Sequence, residues 1–184
     1  MSCPLPSFPR KESVKNVMLQ PGDFFFGGGD TRISTLLGSC VSITFWHPHQ
    51  RIGGMCHYML TERAKAGSAA LDGRYASEAF ALFLRHVDEA ATRPLEYQAK
   101  IFGGANMFVE TPGASMDIGA RNIEYGVRLL ASRHISIVSR HVGGSGRRKL
   151  HFDLWSGDVW LAFPDGSGAE VEGAAESRFQ RVNR

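Results

Sequence analysis

The sequence predicts an α+β fold in one domain. Three observations predict it: short runs of alternating apolar and polar residues rich in Val, Ile, Phe and Thr, two longer stretches with apolar residues at helical spacing, and a length of 184 residues that suits a single core. Hydrophobic residues make up 43% and charged residues 21% of the chain, the balance of a globular protein and not of a disordered one. Residues 1–20 carry Pro4, Pro6 and Pro9 in a charged, aperiodic setting, and residues 166–184 are rich in Gly, Ala, Glu and Ser. Both are expected to be flexible tails around a domain at 21–165.

Asp23 to Phe26 and Arg32 to Leu36 read as short strands separated by Gly27-Gly28-Gly29. No Lys-Ser/Thr follows the glycines and no helix opens after them, so they form a turn and not a phosphate-binding loop. Val41 to Trp46 alternates apolar and polar residues, Ile52 to Leu60 is again rich in strand formers, and His47-Pro48-His49-Gln50-Arg51 joins them as a β-hairpin. Tyr75 to Ala91 places Ala79, Leu82, Phe83, His86, Val87 and Ala90 on one helical face, with His86 as a structural residue. Tyr97 to Phe102 is a strand ended by Gly103-Gly104, and residues 119–132 form a second helix through Ile123, Val127, Leu130 and Ala131. His134 to His141 alternates as a strand, and Leu150 to Leu154 and Val159 to Phe163 flank Ser156-Gly157-Asp158 as another hairpin.

The first hairpin carries the chemistry. It brings the start of its first strand beside the end of its second, so Cys40 and His57 are expected to be neighbours. A free thiol with a pKa of about 8.5 is mostly protonated at neutral pH, and an adjacent imidazole that takes its proton makes it a nucleophile. Ser34 and Thr35 are the candidates for orienting His57, and the two stay open. Gly38 is expected to let the backbone turn sharply, so that the N–H groups of Ser39 and Cys40 point at a developing oxyanion. Cys56 sits next to His57 on a strand, faces the other way and reads as an inert buried thiol, while Cys3 reads as an exposed thiol in the leader.

The function classes that drop out are informative. Formal net charge is only +3, and the cluster Arg140, Arg147, Arg148 and Lys149 is sparser than a nucleic-acid site needs; it reads as a loop that meets solvent or an acidic helical surface. His47, His49, Cys56 and His57 lack paired ligand spacing, so no metal is expected, and no cofactor either. No apolar run approaches the ~20 residues of a membrane span, the leader lacks a secretory apolar core, and the cysteine count is odd; a cytoplasmic location is the expectation.

Six motifs in register resemble the CheD family of chemoreceptor glutamine deamidases. They are Leu37-Gly38-Ser39-Cys40-Val41, Ile52-Gly53-Gly54-Met55-Cys56-His57-Tyr58-Met59-Leu60, Arg74-Tyr75, Lys100-Ile101-Phe102-Gly103-Gly104-Ala105-Asn106-Met107-Phe108, Ile118-Gly119-Ala120-Arg121-Asn122, and Gly143-Gly144 followed by Gly146-Arg147. The resemblance implies two packed β-sheets with helices covering one side. It makes Cys40 the nucleophile and His57 the general base. The family's third residue, a threonine, falls on Ser34 without a gap, and Thr35 supplies that residue type one position later. Cys56, Thr61 and His141 depart from the family pattern, the last in the loop before the glycine pair.

The implied activity is hydrolysis of a glutamine side-chain amide through a thioester on Cys40. The implied partners are chemoreceptor cytoplasmic helices as substrate and a CheC-type chemotaxis phosphatase, with no membrane insertion. Ser39, Gly103, Gly104 and Phe102 are the candidate substrate contacts. Phe102, Met107 and Phe108 fit a groove wall and the core equally well, and Asn106 is placed to hold a carboxamide. Two other readings stand beside this one: a cysteine hydrolase of a different amide or ester, and a non-catalytic chemotaxis binding module.

Overall fold

The computed structural model describes residues 13–64, 70–107, 118–164 and 179–182. Alternating strands with apolar residues on both faces need cover on both sides, and the fold supplies it by stacking two five-stranded sheets. The first sheet runs β1 (Lys15–Leu19), β3 (Thr31–Leu37), β8 (Arg148–Asp153), β9 (Asp158–Ala162) and β10 (Gln180–Val182). The second runs β2 (Phe24–Gly28), β5 (Ile52–Cys56), β4 (Val41–His47), β6 (Gln98–Gly103) and β7 (Ser136–Val142). Helices α1 (Ala76–Glu89) and α2 (Ile118–Ser132) cover the outer face of the second sheet. The expected α+β architecture, with helices on one side, is what the chain adopts.

The period of two along each strand divides the core into two layers. Val41, Ile43 and Phe45 of β4 face the helices and pack with Phe80, Phe83, Val87 and Leu130, the Phe45 and Phe83 rings stacking at 4.4 Å. Ile33, Leu37, Met55, Phe102, Leu150 and Phe152 fill the layer between the sheets. Cutting Phe83 to Ala leaves a cavity in a fully buried site and costs about 3–5 kcal/mol. At one end, Arg32 donates twice to buried Asp153, at 2.6 and 2.9 Å, and Trp160 Nε1 donates to the same carboxylate at 3.0 Å. Losing one member of such a buried pair costs about 3–5 kcal/mol, because it strands the other charge.

Several expectations change. β2 and β3 are consecutive in the chain but lie in different sheets; Gly27 and Gly28, expected in a turn, pair with Gly53 and Ile52 inside β2, and the chain crosses at Gly29-Asp30, with Gly29 at φ 68°. The first sheet also extends into both stretches set outside the domain: β1 pairs parallel with β3, and β10 pairs antiparallel with β9. Cys3, like the rest of residues 1–12, lies outside the described residues, as do residues 165–178.

α2 meets the sheet through Gly119, Asn122, Gly126 and Leu130, with Ile123 and Val127 only flanking and Ala131 exposed. The small residues win because the approach is close: a Cβ on Gly126 would collide with the Tyr58 hydroxyl. In α1, Phe80 is buried where Leu82 was expected, and His86 lies flat against Phe24 and Phe26 at 5.6 and 5.1 Å, a structural role. Among the described residues no helix is long and apolar enough to cross a membrane.

Candidate active site

β4 and β5 form the expected hairpin, and its register holds three residues beyond the ladder, from Thr44 and Met55 to Val41 and Tyr58. Val41 and Tyr58 exchange both backbone hydrogen bonds, at 2.9 and 3.0 Å. Ser42 therefore stands opposite His57, and Cys40 is diagonal to His57 on the same face, the one turned toward the first sheet. Cys40 packs against the layer between the sheets. Cys56 points the other way, into the layer under the helices.

Two carbonyls pin the nucleophile loop: Gly104 N–H donates to Cys40 at 2.8 Å and Ala105 N–H to Gly38 at 2.9 Å. Gly103, at φ 102°, and Gly104 exist for that contact, since a Cβ on Gly103 would strike the Cys40 carbonyl and one on Gly104 would strike Ile123. The close approaches at these glycines are to the Cys40 backbone and to the Ile123 side chain. Phe102 is fully buried between the sheets, which removes it from any groove. Gly38 keeps an ordinary backbone, and a Cβ there would meet Met107 Sδ at ordinary contact distance, so neither the backbone nor the space around it demands glycine. Ser39 is half-buried beside Cys40, and Asn106 and Met107 are exposed at the rim; Phe108 lies outside the described residues.

His57 is clamped by its own backbone, which donates to the Asp23 carbonyl at 3.1 Å and accepts from Gly22 at 2.7 Å. Its Nδ1 lies 2.8 Å from Thr35 Oγ1, and that hydroxyl donates to the Leu19 carbonyl at 2.9 Å. A carbonyl can only accept, so the single hydroxyl proton of Thr35 is committed to Leu19, and Thr35 must accept from His57 Nδ1–H. The tautomer follows: Nε2 carries the lone pair and is free to act as a base. Among the described residues Nε2 is buried without a partner.

Ser34 points to the opposite face, where its hydroxyl meets His151 Nδ1 at 2.6 Å. Period-two alternation along β3 decides between the two hydroxyls, and it was readable from the sequence. The Leu19 carbonyl was missed because β1 fell in the stretch assigned to the leader. The signal for it was the Val17/Leu19 alternation just before Pro21-Gly22.

Burial sets the charge states. It lowers the His57 pKa to about 4 from 6.5, against the upward pull of the Leu19 carbonyl and the Asp23 carboxylate. It raises Cys40 above the usual thiol value, with the residue's own N–H against the sulfur opposing it. Cys56, wholly enclosed, is pushed up to about 12. The resting pair at neutral pH is thus thiol and neutral imidazole, and the proton moves only as sulfur attacks. No group of His, Cys, Asp and Glu among the described residues is placed to hold a metal ion. In the basic loop, Arg148 is buried instead of solvated, donating to His141 Nδ1 at 3.0 Å and to the Gly143 carbonyl.

Residues 59–163 match the CheD family, described as CheD chemotactic sensory transduction. The chain is 68% identical over 161 residues to the probable chemoreceptor glutamine deamidase CheD 3 of Dechloromonas aromatica, covering 88% of this chain and 95% of that one. It is 44% identical over 147 residues to the probable chemoreceptor glutamine deamidase CheD of Pseudomonas fluorescens, covering 79% and 82%. The crystal structure of the hypothetical protein YfiH of Bacillus licheniformis aligns with 67% of this chain and 50% of its own, at 14% identity and a TM-score of 0.41.

Proposed function

The chain belongs to the CheD family, and on that premise we propose that it is a chemoreceptor glutamine deamidase working through Cys40 and His57. The observation that carries the mechanism is the chain Leu19 carbonyl, Thr35 hydroxyl, His57 Nδ1, which leaves Nε2 unprotonated on the same face as Cys40.

Cys40 sulfur attacks the side-chain carboxamide carbon of a receptor glutamine while its proton passes to His57 Nε2. Backbone N–H groups of the Ser39–Cys40 turn receive the oxyanion. His57 then returns the proton to the departing nitrogen, ammonia leaves, and a thioester remains on Cys40. Water, losing a proton to neutral His57, hydrolyses the thioester to glutamate. The C–S bond breaks with its electron pair on sulfur, His57 returns the proton to Cys40, and thiol and neutral imidazole are restored. Thr35 fills the third position of the site, and Ser34 plays no part in it.

A protein substrate fits the rim. Met59, opposite Cys40 in the hairpin register, and Met107, against Gly38 of the nucleophile loop, leave apolar surface exposed beside the thiol, which suits an amphipathic helix in the cytoplasm. A CheC-type phosphatase uses the same rim and competes with the receptor; joint occupancy without mutual effect in a binding titration would remove that part.

The deciding experiment is peptide mass spectrometry of a purified chemoreceptor cytoplasmic fragment incubated with wild type and with Cys40→Ala. The mass gain of glutamine-to-glutamate conversion at specific sites, with wild type only, is the expected result. Conversion of free glutamine or small amides with none on the receptor fragment would point to a different hydrolase. Retention of the fragment without conversion would point to a binding module.

A further inference from the structure

Two polar atoms in the layer between the sheets, Ser42 Oγ and His57 Nε2, are buried with no partner among the described residues. Ser42 is itself fully enclosed, next to Phe102 across the β4/β6 ladder. Because Val41 and Tyr58 exchange both backbone bonds, Ser42 and His57 form the next, non-hydrogen-bonded pair, the kind in which Cα atoms come within about 4.5 Å and side chains are closest. Cys40 lies two residues before Ser42, on the same face. The orphaned hydroxyl, the orphaned base and the nucleophile thus share one small patch.

Buried hydroxyls and ring nitrogens are almost always satisfied, and where protein supplies no partner an internal water does. The tautomer set by Thr35 makes Nε2 an acceptor, so a water donates one proton to it and accepts the Ser42 hydroxyl proton. That leaves a lone pair on the water oxygen and a base already in contact with its proton. We propose that Ser42 is a positioning residue for the second half of the reaction: its hydroxyl and His57 Nε2 hold the water that hydrolyses the Cys40 thioester. The assignment rests on the deamidase reading above.

The step balances. The water oxygen bonds to the thioester carbonyl carbon as its proton passes to Nε2. The tetrahedral adduct then collapses, the C–S bond breaks with its electron pair on sulfur, and His57 returns the proton to Cys40 as the glutamate product departs. Acylation takes the Cys40 proton at the same Nε2 lone pair, with the water displaced, and Ser42 Oγ makes no hydrogen bond to Cys40 or to any other described residue, so acylation is expected not to need it.

Rapid-quench ammonia measurements with the receptor fragment compare wild type, Ser42→Ala and Ser42→Thr. The Ala variant is expected to release its first equivalent of ammonia at the wild-type rate and then turn over about tenfold more slowly, the loss of one hydrogen bond to the attacking water. The covalent receptor adduct accumulates in intact mass spectra of acid-quenched samples, and hydroxylamine, a nucleophile that needs no activated water, restores turnover. The Thr variant keeps its hydroxyl and the wild-type second phase. Equal slowing of both phases, or an unchanged steady state, overturns the assignment.

Should the Ala variant unfold, density in a high-resolution crystal of the wild type decides. A water between Ser42 Oγ and His57 Nε2 supports the assignment, and a dry contact overturns it. A wild type that releases no ammonia from the receptor fragment rejects the deamidase reading as well. A wild type that turns over beside an unchanged Ser42→Ala rejects Ser42 alone.

Discussion

β3 offers two hydroxyls on consecutive residues, and each holds a histidine, one on either face of the sheet. Thr35 meets His57 Nδ1 at 2.8 Å between the sheets, and Ser34 meets His151 Nδ1 at 2.6 Å on the outer face. Burial brings both imidazoles to a pKa of about 4. By distance and pKa the two pairs are twins, and their surroundings differ in ways that matter for chemistry. Around His57 the secondary influences, a backbone carbonyl and the Asp23 carboxylate, favour the imidazolium that forms in passing. Around His151 they are the cations Arg32 and Lys149, which oppose it, and the Phe179 ring covers the imidazole at 4.4 Å. A hydroxyl–imidazole pair becomes a base only when its second nitrogen faces a proton donor and its neighbours tolerate the charge.

The largest separation between the pairs is expected from removing the rings. His57→Ala should cut ammonia release by roughly a hundredfold to ten-thousandfold, the span of general-base catalysis, with the fold retained. His151→Ala should leave the rate within about twofold, as expected for a group outside the reaction. Comparable losses in both variants, measured as kcat/KM on the same receptor fragment, would break the distinction.

A smaller effect follows from the hydroxyls. Thr35→Val keeps the shape but frees His57 Nδ1 to take the wrong tautomer and strands the Leu19 carbonyl. An unsatisfied buried polar group costs about 1–3 kcal/mol, so the rate should fall by about tenfold to a hundredfold, and Thr35→Ser should recover most of it. Ser34→Ala should cost stability, about 1 kcal/mol in urea melts, and no activity. A drop in kcat with Ser34→Ala would return Ser34 to the site.

Most of this fold is legible in the chain because the strands alternate cleanly and the hairpin register is arithmetic: once Val41 faces Tyr58, the positions of Cys40, Ser42 and His57 follow. The choice between Ser34 and Thr35 was equally readable, since consecutive strand residues point apart and Ile33 and Leu37 mark the inward parity. What could not be read were contacts made by the path of the chain. Leu19 reaches Thr35 only because β1 adds parallel to β3. Phe102 fitted groove and core equally because an apolar strand end carries no label for the sheet above it. The glycines at 103–104 and 126 serve approaches between elements distant in sequence, which a turn reading of glycine does not anticipate.

The thiols repeat the comparison at lower stakes. Cys40 is half-buried and Cys56 is wholly enclosed with its pKa pushed up to about 12. Iodoacetamide should therefore label Cys40 first, with a rate that climbs at alkaline pH because burial has raised that thiol too. Peptide mapping after partial labelling checks the order, and Cys56 labelling ahead of Cys40 would reverse the two assignments.

The smallest expected effect is on stability against pH, and it tests whether His151 is neutral in the fold. A histidine with a pKa of 6.5 when unfolded and about 4 when folded takes up its proton in the unfolded chain first. Between those values the unfolded state binds more protons, so stability falls as pH drops from 6.5 toward 4 and levels below it. His57 has the same sign, and His141, also lowered by burial and by Arg148, adds to it. His151→Gln should then flatten the fall in urea midpoint across that window without removing it, while the acid limb of kcat/KM stays near pH 4, where His57 titrates. An unchanged slope would mean that His151 titrates alike in both states, and the resemblance between the two pairs would end at their hydrogen-bond distances.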